Sequence, residues 1–385
     1  MDFNGIRVLV LDGSGKQPIA MIRGLKEIGC HVTVLCTSKL DTCYASKLPD
    51  KKLLVKDMTP QNTEYISFLL KQVKSGDYDV LMPIGELSTN PVTQHENEFK
   101  PYVKIASAPR ETYIKAFNKQ ITFDTAIENN IPCPYTRHSK QDIEDYLNTC
   151  HFPIIIKPRQ GLGSIGFHKF EKREDFWPYM KEHGLDVDDY VVQEFVKFNR
   201  HIGCLLFIDQ KGNVCTSYTV NVTRRFPLDA GSAVLLESTN EHETLQYAGE
   251  LLRKLEWKGF ADVAFMVDRE TGESKLLEIN GRIPQSVKMA YMCGFNISRQ
   301  LLELIYDENV IQYPENDKYG IYLRHFDLDM AWFLKSPDRF RAKPSWFTWK
   351  NTQEILYSKD DKKPFFAHFI QKTFTLRQTM KNKQH

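Results

Sequence analysis

The chain has 385 residues, of which 42% are hydrophobic and 26% charged, and these values are typical of a globular protein with two or three domains. Its 51 basic and 49 acidic residues give a net charge of +2, which offers no reason to expect nucleic-acid binding. No apolar run approaches the roughly 20 residues of a membrane helix, and residues 1–15 lack the basic start of a signal peptide. The eight cysteines form no CxxC pair, so we expect reduced thiols and a cytoplasmic protein rather than a zinc site or a disulfide framework.

The amino-terminal segment alternates apolar runs with helical patterns. A helix is predicted over residues 18–28, and Gly29 ends it. Three apolar runs read as strands, at residues 6–11, 31–36 and 80–83. This alternation predicts an α/β fold with a doubly wound parallel sheet.

A Gly-Ser-Gly turn at residues 13–15 follows the first strand. A dinucleotide site would add a third glycine, and an acidic residue would close the second strand; both are missing. We therefore do not expect NAD or FAD here, although the turn can line a site, because ligands collect at the carboxyl ends of parallel strands.

The middle of the chain has a different pattern, in which antiparallel pairs mix with helices. A polar helical stretch covers residues 108–130, and helical sequence returns at 285–306. Asn240 and Glu243 resemble a capping box that starts a helix reaching about residue 256. Strands are predicted at residues 152–157, 190–196, 204–208, 214–220, 259–268 and 274–280, with a hairpin joining the third and fourth.

Three segments carry the chemistry. Lys157 opens a glycine-rich loop that runs to Gly166, and its glycines would let backbone amides approach phosphate oxygens. Residues 193–196 end a strand, and such a hinge can offer an apolar slot and backbone groups to an adenine ring, with Glu194 accepting from the exocyclic amine. Taken singly, a mobile surface turn would explain the glycine-rich loop equally well, and an exposed strand-end carboxylate would be the favoured interpretation of Glu194.

The third segment is Glu278-Ile279-Asn280-Gly281-Arg282. Strand alternation places Glu278 and Asn280 on one face, about 7 Å apart along the chain. Magnesium prefers hard oxygen ligands and needs only one or two protein carboxylates beside nucleotide phosphates. Arg282 adds a planar fork that suits a phosphate or a carboxylate.

In this order the segments resemble the ATP-grasp superfamily, which includes D-alanine–D-alanine ligase, biotin carboxylase and carbamoyl phosphate synthetase. The resemblance runs from about residue 107 to residue 303, and it takes in Asn118-Lys119 and the Pro-Cys-Pro-Tyr-Thr run at 132–136. It implies a Rossmann-like domain at 1–110 and a two-subdomain ATP-grasp fold at 111–312. The smaller, lid subdomain would span about 120–193 and the larger one about 194–312.

The resemblance also assigns roles. Lys119 and Lys157 would contact ATP phosphates, and Glu278 and Asn280 would hold Mg²⁺, with Mn²⁺ as an alternative ion. The remaining nucleotide contacts would be Gly161, Gly163, Ser164 and Gly166 of the loop and Gln193, Glu194, Phe195 and Val196 of the hinge.

Two positions depart from the family pattern. His201 stands where many members have an acidic residue for the ribose hydroxyls, but a neutral imidazole can still hydrogen-bond a hydroxyl. Ala264 stands where the other metal ligand is expected. Asp262 lies two residues earlier on the same strand face and is the candidate replacement; the alternatives are a site with one metal or a weakened enzyme.

Arg224 and Arg225 are predicted in a loop, between strands and Gly231, that should face the same cleft, where a pair of cations would suit a transferred phosphoryl group. We group both with Arg282 as candidate catalytic residues. Glu86, at a strand end in the amino-terminal domain, could recognise a substrate amine.

The function that the resemblance implies is a carboxylate–amine ligase that works through an acyl phosphate and releases ADP and phosphate. Its partners would be a small-molecule carboxylate and an amine, with no nucleic acid. A catalytically silent nucleotide-binding module and an ATP-grasp kinase are the alternatives.

Residues 313–385 form an aromatic and basic carboxyl-terminal extension. It resembles the tails of ligases associated with bacterial cell-surface polysaccharide synthesis. A packed subdomain that covers the cleft is one interpretation. Peripheral contact with an anionic membrane is the other, since an apolar face with several cations supports such binding.

Overall fold

The computed structural model describes residues 1–161, 165–228 and 231–382, and the side chains within these ranges up to residue 372. Three sheets organise the chain, with five, seven and four strands.

The amino-terminal sheet is parallel throughout and has the strand order β3-β2-β1-β4-β5. The two faces of β1 pack into different cores: Val8 and Val10 lie in one hydrophobic cluster, and Leu9 lies in another. Burial on both faces explains the continuous apolar run of the sequence, and the predicted doubly wound sheet is confirmed. The elements are β1 (Arg7–Val10), α1 (Gln17–Glu27), β2 (His31–Cys36), α2 (Thr42–Ala45), β3 (Lys51–Leu54), α3 (Tyr65–Val73), β4 (Val80–Met82), α4 (Glu86–Gln94), α5 (Glu96–Phe99) and β5 (Lys104–Ile105).

The helical stretch predicted over residues 108–130 is two helices, α6 (Arg110–Phe117) and α7 (Lys119–Glu128). Asn118 separates them with an extended backbone, and its side chain accepts a hydrogen bond from the Gln120 amide at 3.0 Å. This N-cap breaks the helix because asparagine satisfies an amide that a continuous helix would pair internally. Lys119 therefore stands in the first turn of α7.

A four-stranded antiparallel sheet with the order β6-β9-β7-β8 follows. Its outer face packs on α8 and α9 around a core that includes Ile143, Ile154, Phe170 and Phe176. The elements are β6 (Thr136–Arg137), α8 (Lys140–Thr149), β7 (Ile154–Pro158), β8 (His168–Phe170), α9 (Phe176–Glu182) and β9 (Tyr190–Glu194), with 3-10 turns at Arg173–Asp175 and Val187–Asp189.

The largest sheet contains the predicted hairpin, and both of its strands are longer than the sequence indicates. The capping box predicted at Asn240 is wrong: the helix begins at His242, Glu241 occupies the N-cap, and no side chain caps it. The elements up to the end of this region are β10 (Phe198–Ile208), β11 (Val214–Phe226), β12 (Ser232–Thr239), α10 (His242–Lys254), β13 (Gly259–Asp268) and β14 (Ser274–Asn280).

The carboxyl-terminal extension continues this sheet. The remaining elements are α11 (Val287–Cys293), α12 (Ile297–Ile305), β15 (Tyr322–Arg324), α13 (Phe326–Lys335), β16 (Thr352–Glu354) and α14 (Lys363–Asn382). β15 pairs with β12 and β16 pairs with β15, so the sheet order is β14-β13-β10-β11-β12-β15-β16. The domain boundary at residue 312 stays a prediction, and the sheet runs past it. Within the described ranges, none of the helices combines the length and the apolar character needed to cross a bilayer.

Candidate active site

A cavity of about 580 Å³ lies between the four-stranded and the seven-stranded sheets. Strands of both sheets supply its walls, with Lys157 on β7, Gln193 on β9, His201 on β10 and Glu278 on β14. The structure brings most of the sequence-predicted site residues to this one cavity: Lys119, Lys157, Gly161, Gln193, Glu194, Phe195, Val196, His201, Arg225, Asp262, Glu278, Asn280 and Arg282.

The hinge between β9 and β10 forms one end of the cavity. Gln193 is fully buried, and its amide nitrogen donates to Thr136 Oγ1 at 2.8 Å, while its Oε1 has no partner among the described residues. The Val196 amide likewise makes no hydrogen bond to a described residue. Because buried polar groups normally find partners, these two atoms are available to a bound ligand with its own donors and acceptors.

The Glu194 carboxylate is less available than the sequence suggests. Its Oε1 accepts from Lys275 Nζ at 2.9 Å and from the Tyr135 amide at 3.2 Å. These contacts tie the hinge to β14 and to the start of β6. A ligand amine at Glu194 would therefore share a carboxylate that the protein already uses.

Cations collect deeper in the cavity. Burial lowers the pKa of Lys119 and lowers that of Lys157 to about 8, although the nearby Glu278 carboxylate opposes the shift at both amines. Arg225 lies with its guanidinium carbon 5.2 Å from the Phe198 ring centre, and burial lowers its pKa as well. Among the described residues, no carboxylate lies within 4 Å of Lys119, Lys157 or Arg225. Unpaired buried cations are costly, so this end of the cavity is suited to an anion.

Arg282 faces the same space but is held by the protein. Its NH2 nitrogen donates to Asn280 Oδ1 at 3.1 Å, and its Nε lies 3.9 Å from Glu86 Oε2. The NH1 nitrogen is buried with no partner among the described residues. The guanidinium is therefore held at its NH2 nitrogen, and its unpaired NH1 nitrogen can donate to a second ligand group.

The candidate metal ligands share one face of the β13–β14 pair. Asn280 lies opposite Asp262 and Glu278 lies opposite Ala264 in the register. Opposite and alternate residues of antiparallel strands point to the same side, so both carboxylates face the cavity. Gly203 on the neighbouring strand makes room for one of them, since a Cβ there would come within 3.3 Å of Asp262 Oδ1.

The two carboxylates repel each other across the strands. Burial raises the pKa of Asp262 to about 6, with Arg282 lowering it and Glu278 raising it further. The described residues contain no cluster of three histidine, cysteine or acidic side chains placed to hold a metal. Two carboxylates and an amide oxygen nevertheless fit Mg²⁺, which takes few protein ligands and completes its shell with phosphate oxygens and water. Such an ion would also neutralise the repulsion.

His201 stands on β10 in the same wall. Burial and the neighbouring Arg225 lower its pKa to about 4, against the opposing effect of Glu278. The imidazole is therefore neutral at physiological pH, with one donor and one acceptor nitrogen.

The structure corrects the position of Arg224. A bulge in β11 shifts the register between Val222 and Arg225, so Val222 and Arg225 face the cavity and Arg224 points away. The Arg224 guanidinium is buried and pairs with Asp329 at 3.0 Å. It also lies 4.6 Å from the ring centre of Trp332, with which it borders a neighbouring cavity of about 460 Å³.

The glycine loop is described only in part. Gly161 lines the cavity, whereas Gly166 does not; at Gly166, φ is +77° and a Cβ would come within 2.6 Å of Pro158 Cγ. A glycine is therefore required there by the turn itself. Gly163 and Ser164 lie outside the described residues.

Two further residues reach the site from the flanking regions. Glu86 begins α4, accepts from the Tyr113 hydroxyl and lines a side pocket of about 160 Å³ that shares Glu278 and Arg282 with the main cavity. Burial raises its pKa. His325, in the carboxyl-terminal extension, lines the main cavity although it lies 1% exposed. No local motif marks His325, because its position depends on β15 joining a sheet strand from far earlier in the chain.

Comparison with known proteins identifies one domain of the chain. Residues 116–286 match the model of the ATP-grasp domain. The chain contains an ATP-grasp domain. The resemblance drawn from the motifs is therefore confirmed.

The relatives of this ATP-grasp chain are distant. Human mitochondrial pyruvate carboxylase is 24% identical over 303 residues, which cover 74% of this chain and 25% of the relative. D-aspartate ligase of Enterococcus faecium is 22% identical over 251 residues, covering 60% of this chain and 59% of that enzyme. This chain thus spans about a quarter of the length of the human protein.

A solved structure supports the same fold. The biotin carboxylase domain of the Hydrogenobacter thermophilus 2-oxoglutarate carboxylase superposes with a TM-score of 0.66 at 13% identity, covering 82% of this chain and 73% of that one. That structure is a complex with ADP, its magnesium salt and bicarbonate. At this identity the likeness establishes the fold alone.

Proposed function

We propose that this chain is an ATP-dependent ligase that activates a carboxylate as an acyl phosphate and transfers it to an amine, releasing ADP and phosphate. The observation that carries the proposal is the placement of Lys157 and Arg225, without carboxylate partners among the described residues, in one cavity with Glu278 and Asp262. Cations suit nucleotide phosphates, and paired carboxylates suit the ion that accompanies them. The D-aspartate ligase relative supports carboxylate–amine chemistry.

The nucleotide would span the cavity from hinge to cations. Adenine would lie against Phe195 and Val196, with the free Val196 amide and Gln193 Oε1 as hydrogen-bonding groups. The neutral His201 would bond a ribose hydroxyl. Lys119 and Lys157 would then meet the phosphates, because both amines line the cavity and the Glu278 carboxylate raises the pKa of each against the effect of burial.

Transfer of the phosphoryl group depends on electrostatics rather than on a covalent nucleophile. Glu278, Asp262 and Asn280 would hold Mg²⁺, which would neutralise phosphate charge when bound. Arg225 and Arg282 would stabilise the charge that spreads over the transferred group. The acceptor amine would then attack the acyl carbon, and Glu86 beside Arg282 is the candidate group for holding that amine.

The substrates, a cytoplasmic location, Mn²⁺ as an alternative ion and a role in cell-surface polysaccharide synthesis belong to the proposal as well. The cysteine pattern supports the location, and the resemblance of the tail supports the role in polysaccharide synthesis. The motif resemblance supports the metal ion, and the name of the D-aspartate ligase relative supports small carboxylates and amines in general.

The test is turnover with ATP, Mg²⁺ and pooled carboxylates and amines. We expect ADP and phosphate to form only when both pools are present. A phosphorylated product without an amine requirement would indicate a kinase. Tight ATP binding without turnover would indicate a silent module, and AMP formation would contradict the acyl-phosphate route.

The Glu278→Gln variant is expected to lower turnover by about 100-fold or more, because it removes charge at the centre of the site. Glu273→Gln is the matched control, since Glu273 lies exposed in the turn of the same hairpin. Equal turnover by the two variants would show that the metal position is elsewhere.

A further inference from the structure

The carboxyl-terminal extension carries a continuous surface of aromatic rings. Phe340 contacts Phe333 with ring centres 5.5 Å apart, and Phe333 contacts Trp346 at 4.5 Å. Phe326 links Trp346 to Phe365, at 6.2 Å from each. We define the aromatic surface as Phe326, Phe333, Phe340, Trp346, Phe347, Trp349, Phe365, Phe366 and Phe369.

Much of this surface is open to solvent. Phe340 is 72% exposed, Phe347 64%, Phe366 56% and Trp349 47%, and the neighbouring Leu334 is 67% exposed. Single exposed apolar residues are ordinary, but connected exposed rings mark a binding surface. The ring contacts therefore indicate a face that another apolar medium covers.

The charges around the aromatic surface are almost entirely positive. Among the described side chains of residues 326–372, the segment that carries this surface, none of the exposed basic residues lies within 4 Å of a carboxylate. They are Lys335, Arg341, Lys343, Lys350, Lys359, Lys362 and Lys363.

Two acidic residues of the same segment are withdrawn into the protein. Asp327 pairs with Lys16 at 2.8 Å and lies 3.1 Å from His368, and these partners hold its pKa well below the usual range against the opposing effect of burial. Asp329 is fully buried between two arginines. The folding of the segment thus removes these two negative charges from the surface.

Three more carboxylates are bonded within the protein, although the Asp360 side chain stays 49% exposed. Glu354 accepts from two backbone amides, Asp361 accepts from the Ser46 hydroxyl at 2.5 Å, and Asp360 pairs with Arg23 at 2.9 Å. Asp338 remains exposed without a cationic partner among the described residues. The surface that solvent meets is therefore aromatic and cationic.

We propose that the aromatic surface docks on an anionic lipid bilayer. Aromatic rings partition into the interface between headgroups and acyl chains, and lysines and arginines beside them attract anionic headgroups. A second copy of the chain fits less well, because it would bring the same positive charges together. The contact lies on the membrane rather than across it, in agreement with the lack of a spanning helix among the described residues.

Helix α13 places this contact next to the candidate active site. Phe326 and Phe333 on the helix belong to the aromatic surface, while Trp332 borders the cavity beside Arg225. The preceding His325 lines the main cavity. Docking would thus hold one wall of the active site close to the bilayer, where a substrate attached to lipid can be reached.

The proposal is tested with the full-length protein and no ATP, so its outcome is independent of the ligase reaction. We expect the protein to sediment with vesicles of equimolar phosphatidylcholine and phosphatidylglycerol at low salt, and to be released at high salt. Vesicles of phosphatidylcholine alone should bind it weakly. No sedimentation with the anionic vesicles at low salt would overturn the proposal.

Two matched pairs of variants locate the contact. Phe347→Ser should weaken vesicle binding roughly ten-fold, whereas Tyr102→Ser, at an exposed ring of the amino-terminal domain, should not. Lys343→Glu should weaken it by about ten-fold as well, and Lys254→Glu on α10 should have little effect. Equal binding by both members of each pair would overturn the assignment. So would a concentration-dependent dimer in sedimentation velocity that Phe347→Ser abolishes while vesicle binding is absent.

Discussion

Adjacent arginines on β11 show two opposite ways in which the protein treats a buried cation. Arg224 and Arg324 converge on Asp329 in a cluster where every group is at most 3% exposed. Arg225, one residue along the chain, faces the main cavity with no carboxylate within 4 Å among the described residues. We call the first group the closed cluster. The difference teaches that a cation already paired with a carboxylate within the fold serves stability, whereas a cation left without a partner in a cavity indicates a ligand.

The largest expected effect comes from breaking the closed cluster. Asp329→Ala leaves two buried guanidinium groups uncompensated, and we expect the free energy of unfolding to fall by about 3–5 kcal/mol. Urea denaturation measures it. Asp338→Ala is the control at an exposed carboxylate of the same segment, and a loss as large in the control would remove the distinction.

Raising the pH should deprotonate Lys157 in the cavity before it changes the charges of the closed cluster. The pKa of Lys157 is lowered to about 8, so its charged form dominates at pH 7 and is nearly lost at pH 9.5. ATP affinity should fall by about thirty-fold over that range if binding needs the charged amine. Lys157→Arg should flatten the profile, since arginine stays charged, and an unchanged slope would exclude Lys157 as the cause.

The same lowered pKa has a consequence for stability. Between pH 8 and the ordinary pKa of 10.5, the unfolded chain binds a proton at Lys157 that the folded chain does not. Unfolding then takes up a proton, so without nucleotide the contribution of this residue to stability rises with pH. Affinity for ATP and stability of the free protein should therefore move in opposite directions over this interval. A parallel fall of both in the wild type, absent in Lys157→Met, would contradict this.

A smaller effect is expected at the metal position. Asp262→Asn keeps the shape but removes one of the two facing carboxylates, and the Mg²⁺ concentration for half-maximal ATP binding should rise about ten-fold. The substitution should also remove the Asp262 carboxyl, whose pKa is raised to about 6. The fall of ATP affinity on acidification should therefore move to lower pH. An unchanged Mg²⁺ requirement would indicate a site that relies on Glu278 alone.

Much of the site could be predicted because strand alternation is a strong local signal. The shared face of Glu278, Asn280 and Asp262 follows from period two, and the register places Asp262 opposite Asn280. The loop predicted at Arg224 and Arg225 was wrong, since both lie on β11, and the bulge between Val222 and Arg225 turns Arg224 away from the cavity.

Contacts between residues far apart in the chain could not be predicted from the sequence, for a different reason. His325 enters the cavity because β15 pairs with β12, and the helix break at Asn118 depends on a side-chain cap in competition with a helical pattern. The sequence suggested a tail that either covers the cleft or meets a membrane. The structure joins the first part of that tail to the sheet and leaves its aromatic rings exposed.

The most direct test compares Arg224→Met with Arg225→Met, using calorimetry for ATP affinity and urea denaturation for stability. We expect Arg225→Met to weaken ATP binding by about ten-fold or more while the free energy of unfolding is unchanged or higher. Arg224→Met should lower the free energy of unfolding by about 3 kcal/mol and leave the affinity for ATP close to that of the wild type. The reverse pattern, with ATP affinity lost in Arg224→Met and retained in Arg225→Met, would contradict the assignment of this cavity as the nucleotide site.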